Sequence, residues 1–279
     1  MNDSARQQNL RPGQKAALIV TVSILVGVVS FAASFVTSYR ERNLDTRQAV
    51  GEFASTLKEA VGNNVPAGLA TPQVASPAAS PPGSEAAFVR GATAITKRSA
   101  NDTRVLRSQM DAIDLGSFLS ATTLTNPARI LKARQGIEDY KRLVDQQYAR
   151  SNAYYAEMET YLRTTRAPGT LAQDALGGFL KASAVSKAAY QEWRDAEFAV
   201  ASSVMDILDF AGSRQKTMKL QGNAISFSSG VDGKRYNQLQ NALRDTAARE
   251  DAVVRRLGQL ESDTRANAEQ LSALASGKK

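Results

Sequence analysis

From Ala16 to Val36 the chain runs for 21 residues without a charge, AALIVTVSILVGVVSFAASFV. A helix rising ~1.5 Å per residue carries such a run across ~31 Å, close to the hydrocarbon thickness of a bilayer. No later stretch is comparably apolar. The expected layout is therefore a short basic tail over residues 1–15, a single membrane anchor over 16–36, and everything else on one side of a lipid bilayer. A cleaved secretory signal is the rival reading. Arg6, Arg11 and Lys15 supply its basic start. The apolar run exceeds the ~7–15 residues a signal uses, however, and Ala32-Ala33-Ser34 is a poor cleavage site. An uncleaved anchor is the better fit.

Lys and Arg flanking a span set its orientation. Here they tie, with Arg40, Arg42 and Arg47 following the run and Arg6, Arg11 and Lys15 preceding it. A short tail with a long following domain favours tail inside and domain exported. The Ala- and Arg-rich composition suggests a bacterial inner membrane, which would make the C-terminal domain periplasmic. Ser23, Gly27, Ser30 and Ser34 recur at steps of four, three and four, placing small side chains on one face of the anchor. Such a face permits close pairing of membrane helices and hence a homo-oligomer.

After the anchor, residues 37–63 keep helical spacing through Leu44, Ala49, Phe53 and Leu57 and read as a juxtamembrane helix. Residues 64–83 change character. Five prolines with Ala, Ser and Gly in VPAGLATPQVASPAASPPG rule out a helix interior and suggest an extended tether. Residues 84–279 form the main domain. Ser84 is an N-cap candidate before Phe88, Ala92 and Ile95. Asn126-Pro127 marks another helix start, cap followed by proline at the first helical position. The stripe Ile130, Ile137, Val144, Tyr148, Tyr155, Met158, Leu162 follows. Arg166 to Gly169 breaks it, and Thr170 with Gln173 resembles a capping box. A third helix carries Phe179, Trp193, Val200 and Val204. Gly222-Asn223, flanked by Met218, Leu220, Ile225 and Phe227, predicts a small β-hairpin. Ser229 with Asp232 then caps a last helix through Leu239, Leu243, Leu257 and Leu271. The expected fold is all-α, an elongated antiparallel bundle with a hairpin insertion. A parallel coiled-coil dimer is the rival, and the irregular heptads argue against it.

The chain contains neither histidine nor cysteine. That removes the usual metal ligands and most nucleophile–base pairs. No metal, cofactor or catalytic residue is assigned. Glu192, Asp195 and Glu197 surround Trp193 and read as surface charge, as do Asp206 and Asp209. Ser183 and Lys187 lie one turn apart, the minimum for a serine–lysine hydrolase, but no oxyanion turn accompanies them. Gly230 to Arg235 (GVDGKR) lacks the phosphate-loop spacing. From residue 84 onward 28 basic residues are interleaved with 22 acidic ones, too diffuse for a nucleic-acid footprint. Tyr154 and Tyr161 form an i, i+7 pair off the main stripe and are the candidate protein-contact residues. The overall expectation is a non-enzymatic, membrane-anchored scaffold or interaction module with a protein partner in the envelope. A ligand-binding sensor or adaptor bundle is the alternative.

Overall fold

The computed structural model describes residues 44–61 and 81–276. The anchor over 16–36, its small-residue face at Ser23, Gly27, Ser30 and Ser34, and most of the proline-rich segment lie outside the described residues. Among the described residues no helix is long and apolar enough to cross a membrane.

The described chain is mostly helical with one small antiparallel hairpin. Helix α1 spans Leu44–Val61 and α2 spans Glu85–Asp111. Two single turns follow, α3 (Leu115–Phe118) and α4 (Ala121–Leu124). Three long helices complete the set: α5 (Pro127–Thr164), α6 (Leu171–Ser213) and α7 (Gly230–Ala275). Strands β1 (Met218–Gln221) and β2 (Ala224–Phe227) lie between α6 and α7.

The punctuation has local causes. The Ser84 hydroxyl accepts the Ala87 amide and starts α2. Asn126 Oδ1 accepts the amides of Ala128 and Arg129 at 3.0 and 3.2 Å, satisfying two donors that the first turn of α5 would otherwise leave bare. The Thr170 box is built differently from expectation. Its hydroxyl donates to Asp174 Oδ2 at 2.7 Å, and Gln173 takes no part. The hairpin register pairs Met218 with Phe227 and Gln221 with Ala224, leaving Gly222-Asn223 as the two-residue turn. Gly222 has φ +61° while Asn223 is not positive, the pattern of a turn with glycine at its first central position.

The contacts divide the chain into two compact units, and each of the three long helices supplies residues to both. Unit A takes residues 107–145 and 193–254. Unit B takes 44–61, 81–106, 146–192 and 255–276. In unit A the α5 contacts to α6, Tyr140 with Glu197 and Arg134 with Asp209, run in opposite chain directions. In unit B, Thr96 with Tyr154 and Phe88 with Tyr161 show the same for α2 and α5. Adjacent helices are thus antiparallel.

Unit B draws on helices from both sides of the proline-rich segment. Helix α1 buries Ala49, Val50, Phe53, Ala54 and Leu57 in one cluster with Phe88, Tyr155, Met158, Phe179 and Leu271. Arg90 of α2 donates to Asp45 and Glu52 of α1 at 2.8 and 3.4 Å. Helix α1 is therefore part of the bundle. In sequence, the proline-rich segment stands between two helices whose residues share one core cluster. Residues 84–276 in turn contribute to both units.

Candidate functional site

Polar groups buried inside unit A form the most chemically distinctive site. Glu197 sits on α6 four residues after Trp193 and three before Val200, which turns its carboxyl inward with the apolar stripe. Its residue is 1% exposed, as is Trp193; Tyr140 is 2% exposed. The Tyr140 hydroxyl donates to Glu197 Oε2 at 2.5 Å, and the Trp193 indole N–H donates to Oε1 at 2.9 Å. Each carboxylate oxygen thus has a donor, which is the condition for burying such a group.

Glu250 of α7 is also buried. Its charge and that of Asp111 act on the Tyr140 hydroxyl, together with the nearer Glu197. Burial, then those negative charges, push the Tyr140 phenol well above its ordinary range. Burial pushes Glu197 up to about 7, partly opposed by the two hydrogen bonds from Tyr140 and Trp193. Asp111 is raised by burial and partly offset by Arg107, whose Nε lies 3.8 Å from Oδ2. The arrangement can hold or release one proton near neutral pH inside a helical core.

The expectation that Glu192, Asp195 and Glu197 are all surface charge holds for the first two only. Glu192 meets Arg256, and Asp195 meets Arg194, both on partly exposed side chains. Glu197 is a core residue. The signal was in the spacing: Trp193, Glu197 and Val200 lie on one helical stripe. Glu250 shows the same signature, seven residues from both Leu243 and Leu257. Asp209, read as surface charge, is exposed and pairs with Arg134.

Tyr154 and Tyr161, expected as protein-contact residues, are placed by packing within unit B. Tyr154 is 4% exposed, and its hydroxyl lies 3.4 Å from that of Thr96. It packs inside unit B because α2 covers the face beside the main stripe. Tyr161 is half-buried, stacks on Phe88 and donates to the Phe88 carbonyl at 2.7 Å. Gly91 makes room for it, since a Cβ there would overlap the phenol. Both tyrosines serve packing within the unit. Tyr148 also departs from its stripe: it is half-buried, while Gln147 and Ser151 take the inward positions.

The serine–lysine pair is not assembled. Ser183 Oγ donates to the Leu180 carbonyl, while the Lys187 ammonium lies 5.3 Å from the centre of the Tyr155 ring. Gly230 to Arg235 forms the first turns of α7, with the Asp232 amide on Ser229 Oγ. Among the described residues no group of three or more acidic side chains is placed to hold a metal ion.

An open depression of about 590 Å³ lies in unit A between α3, α4 and the start of α5, lined among others by Phe118, Arg129, Lys132 and Asp139. The Phe118 ring covers it from one side and packs where a Cβ on Gly136 would collide. No family model, curated protein or solved structure matches this chain.

Proposed function

We propose that this chain is a single-pass, membrane-anchored, non-enzymatic helical protein that acts in the bacterial envelope as a scaffold or interaction module. The anchor reading rests on the uncharged run at 16–36. The scaffold reading rests on one structural observation: helices of 38, 43 and 46 residues commit their inward stripes to packing in both units. The groups most able to do chemistry are spent on one another, as in Tyr140–Glu197–Trp193, or held apart, as in Ser183 and Lys187.

Absence of cysteine makes the topology directly testable. Ser276 is exposed at the end of α7 and accepts a Ser276→Cys change without disturbing a core. A membrane-impermeant maleimide should label it in intact cells with permeabilised outer membranes. Labelling only after lysis would overturn export, and release of the chain by alkaline carbonate would overturn the anchor.

A ligand-responsive bundle acting through a partner is the second reading, favoured by the depression beside Phe118 and Arg129. A compound that raises the melting temperature of the parent chain but not of the Arg129→Glu variant would support it.

A further inference from the structure

One end of unit A combines positive charge with exposed aliphatic side chains. Gln215 Nε2 donates to the Leu124 carbonyl at 2.8 Å, joining the segment after α6 to α4. Gly212 lies against Arg134 and Ile130 of α5. Phe210, Phe227 and Tyr236 share ring contacts that fasten the hairpin to α6 and α7. The start of α5, the hairpin and the start of α7 are thus assembled at one place.

Residues 120–135 contain no acid, and residues 209–235 contain two, Asp209 and Asp232. Both are committed, Asp209 to Arg134 and Asp232 to Arg214. Just outside these stretches, Asp114 caps the Ser117 amide, Glu138 pairs with Lys141 and Asp139 with Arg142, while exposed Asp206 lies one helical turn before Asp209. Arg129, Lys132, Lys216, Lys219, Lys234 and Arg235 are exposed and have no carboxylate partner among the described residues.

The apolar part comes from the strand pattern. Met218, Leu220, Ile225 and Phe227 share one face of the hairpin, since cross-strand partners point the same way. The open end of that face is buried through Met218, which is 5% exposed. Its turn end projects past that support, leaving Leu220 46% exposed. Val231 is 75% exposed on the first turn of α7, and Leu131 is 58% exposed on the first turns of α5. Isolated exposed aliphatics are ordinary. Three within one acid-depleted, lysine- and arginine-rich end are not.

We propose that this end of unit A docks on an anionic phospholipid surface, with Leu220 and Val231 entering the headgroup region and the six cations meeting lipid phosphates. The charge excess complements an acidic bilayer, and aliphatic tips surrounded by lysine and arginine are the chemistry of interfacial contact. A single-stranded nucleic acid would need exposed aromatic platforms, whereas the large side chains exposed here are aliphatic. This contact is separate from the anchor and adds to it.

The test uses the full chain carrying Leu220→Cys labelled with an environment-sensitive fluorophore, reconstituted into vesicles. Vesicles of phosphatidylcholine alone are compared with vesicles one-third phosphatidylglycerol. A blue shift with at least about twofold brighter emission is expected only in the anionic vesicles. It should reverse in about 1 M salt, where the screening length is ~3 Å. A Lys219→Glu, Lys234→Glu variant, altered only on exposed side chains, should lose the response or need about tenfold more anionic lipid. A label at Ser276→Cys should not respond to phosphatidylglycerol. An equal response in both vesicle types, no response in either, or indifference to the charge reversals would overturn the proposal. So would a larger response to an added oligonucleotide than to phosphatidylglycerol. If the chain is released from vesicles by carbonate, the anchor fails. The lipid dependence at position 220 is still read by adding the chain to preformed vesicles.

Discussion

The same three helices build two kinds of interior. In unit B most buried polar groups are neutral and answered by their own helix: Thr96 donates to Ala92, Ser151 to Gln147, Ser186 to Ala182 and Thr264 to Leu260, each to the carbonyl four residues back. Buried Glu261 likewise meets Arg265 of its own helix, at 3.8 Å. Around them lie Phe53, Phe88, Tyr155 and Phe179. In unit A the buried polar groups include ionisable Glu197 and Glu250, and Glu197 is answered from another helix by Tyr140. A hydroxyl bonded to its own backbone follows its helix wherever it packs. A carboxylate satisfied across helices requires one particular juxtaposition, and its energy depends on pH. The first kind of core is tolerant; the second is conditional.

The sharpest way to break this contrast is to make the tolerant core fail. Phe179 is fully buried, and Phe179→Ala should cost about 3–5 kcal/mol through lost burial and a cavity. Chemical denaturation of the full chain in detergent, followed by circular dichroism, measures it. The loss should be the same at pH 5 and pH 8. A loss below about 1 kcal/mol would mean that the aromatic cluster collapses around the gap.

The conditional core makes the complementary prediction. Glu197 is raised from 4.5 to about 7, so between those values the folded chain holds a proton that the unfolded chain has released. Stability from this group therefore falls as pH rises from about 4.5 to 7, by about 3 kcal/mol in all. Glu197→Gln should flatten that slope while keeping a group that can bond both Tyr140 and Trp193. Trp193 is the only tryptophan in the chain, so its emission reports the site directly. A parent protein whose stability is level from pH 5 to 7.5 would show that the carboxylate is solvated after all.

The sequence exposed these two interiors unequally. Helix starts at Ser84, Asn126 and Ser229 and the Gly222-Asn223 hairpin were readable because each depends on residues within four positions. The inward turn of Glu197 was also readable in principle, from Trp193 and Val200, but a charged residue on a stripe can equally end at an exposed helix edge. Only the position of Tyr140, 57 residues earlier, decides between those outcomes. Tyr154 shows the reverse error. It lies beside the stripe and reads as exposed until α2 covers it, and the covering residue, Thr96, is 58 positions away. Helix α1 was detectable as a helix, yet no local pattern shows that Phe53 and Leu57 share a core with Phe179. Periodicity reveals that a face is buried; what buries it is a long-range fact.

Removing a single donor separates the two kinds of bond further. Tyr140→Phe keeps the ring and deletes the hydroxyl that favours ionised Glu197. The titration of Trp193 emission should move to higher pH, and stability at pH 8 should fall by about 1.5–3 kcal/mol, the range for a hydrogen bond to a charged group. The loss should shrink at pH 5, where Glu197 is protonated. An unchanged titration midpoint would mean that Tyr140 packs beside the carboxyl without stabilising its charge.

The smallest effect belongs to the neutral counterpart. Ser186 is fully buried in unit B, and its hydroxyl donates to the Ala182 carbonyl at 3.2 Å, an oxygen already used by the helix. Ser186→Ala removes a donor whose backbone acceptor the helix already bonds, and alanine is the better helix former. The expected change is within about 1 kcal/mol and the same at every pH. A large loss would mean that packing depends on the bond between Ser186 and the Tyr155 phenol, which partly opposes the rise that burial imposes on that phenol. In that event unit B would rely on its cross-helix hydroxyl contacts, Thr96 with Tyr154 among them, as unit A relies on Tyr140, and the contrast would narrow to the acid answered across helices.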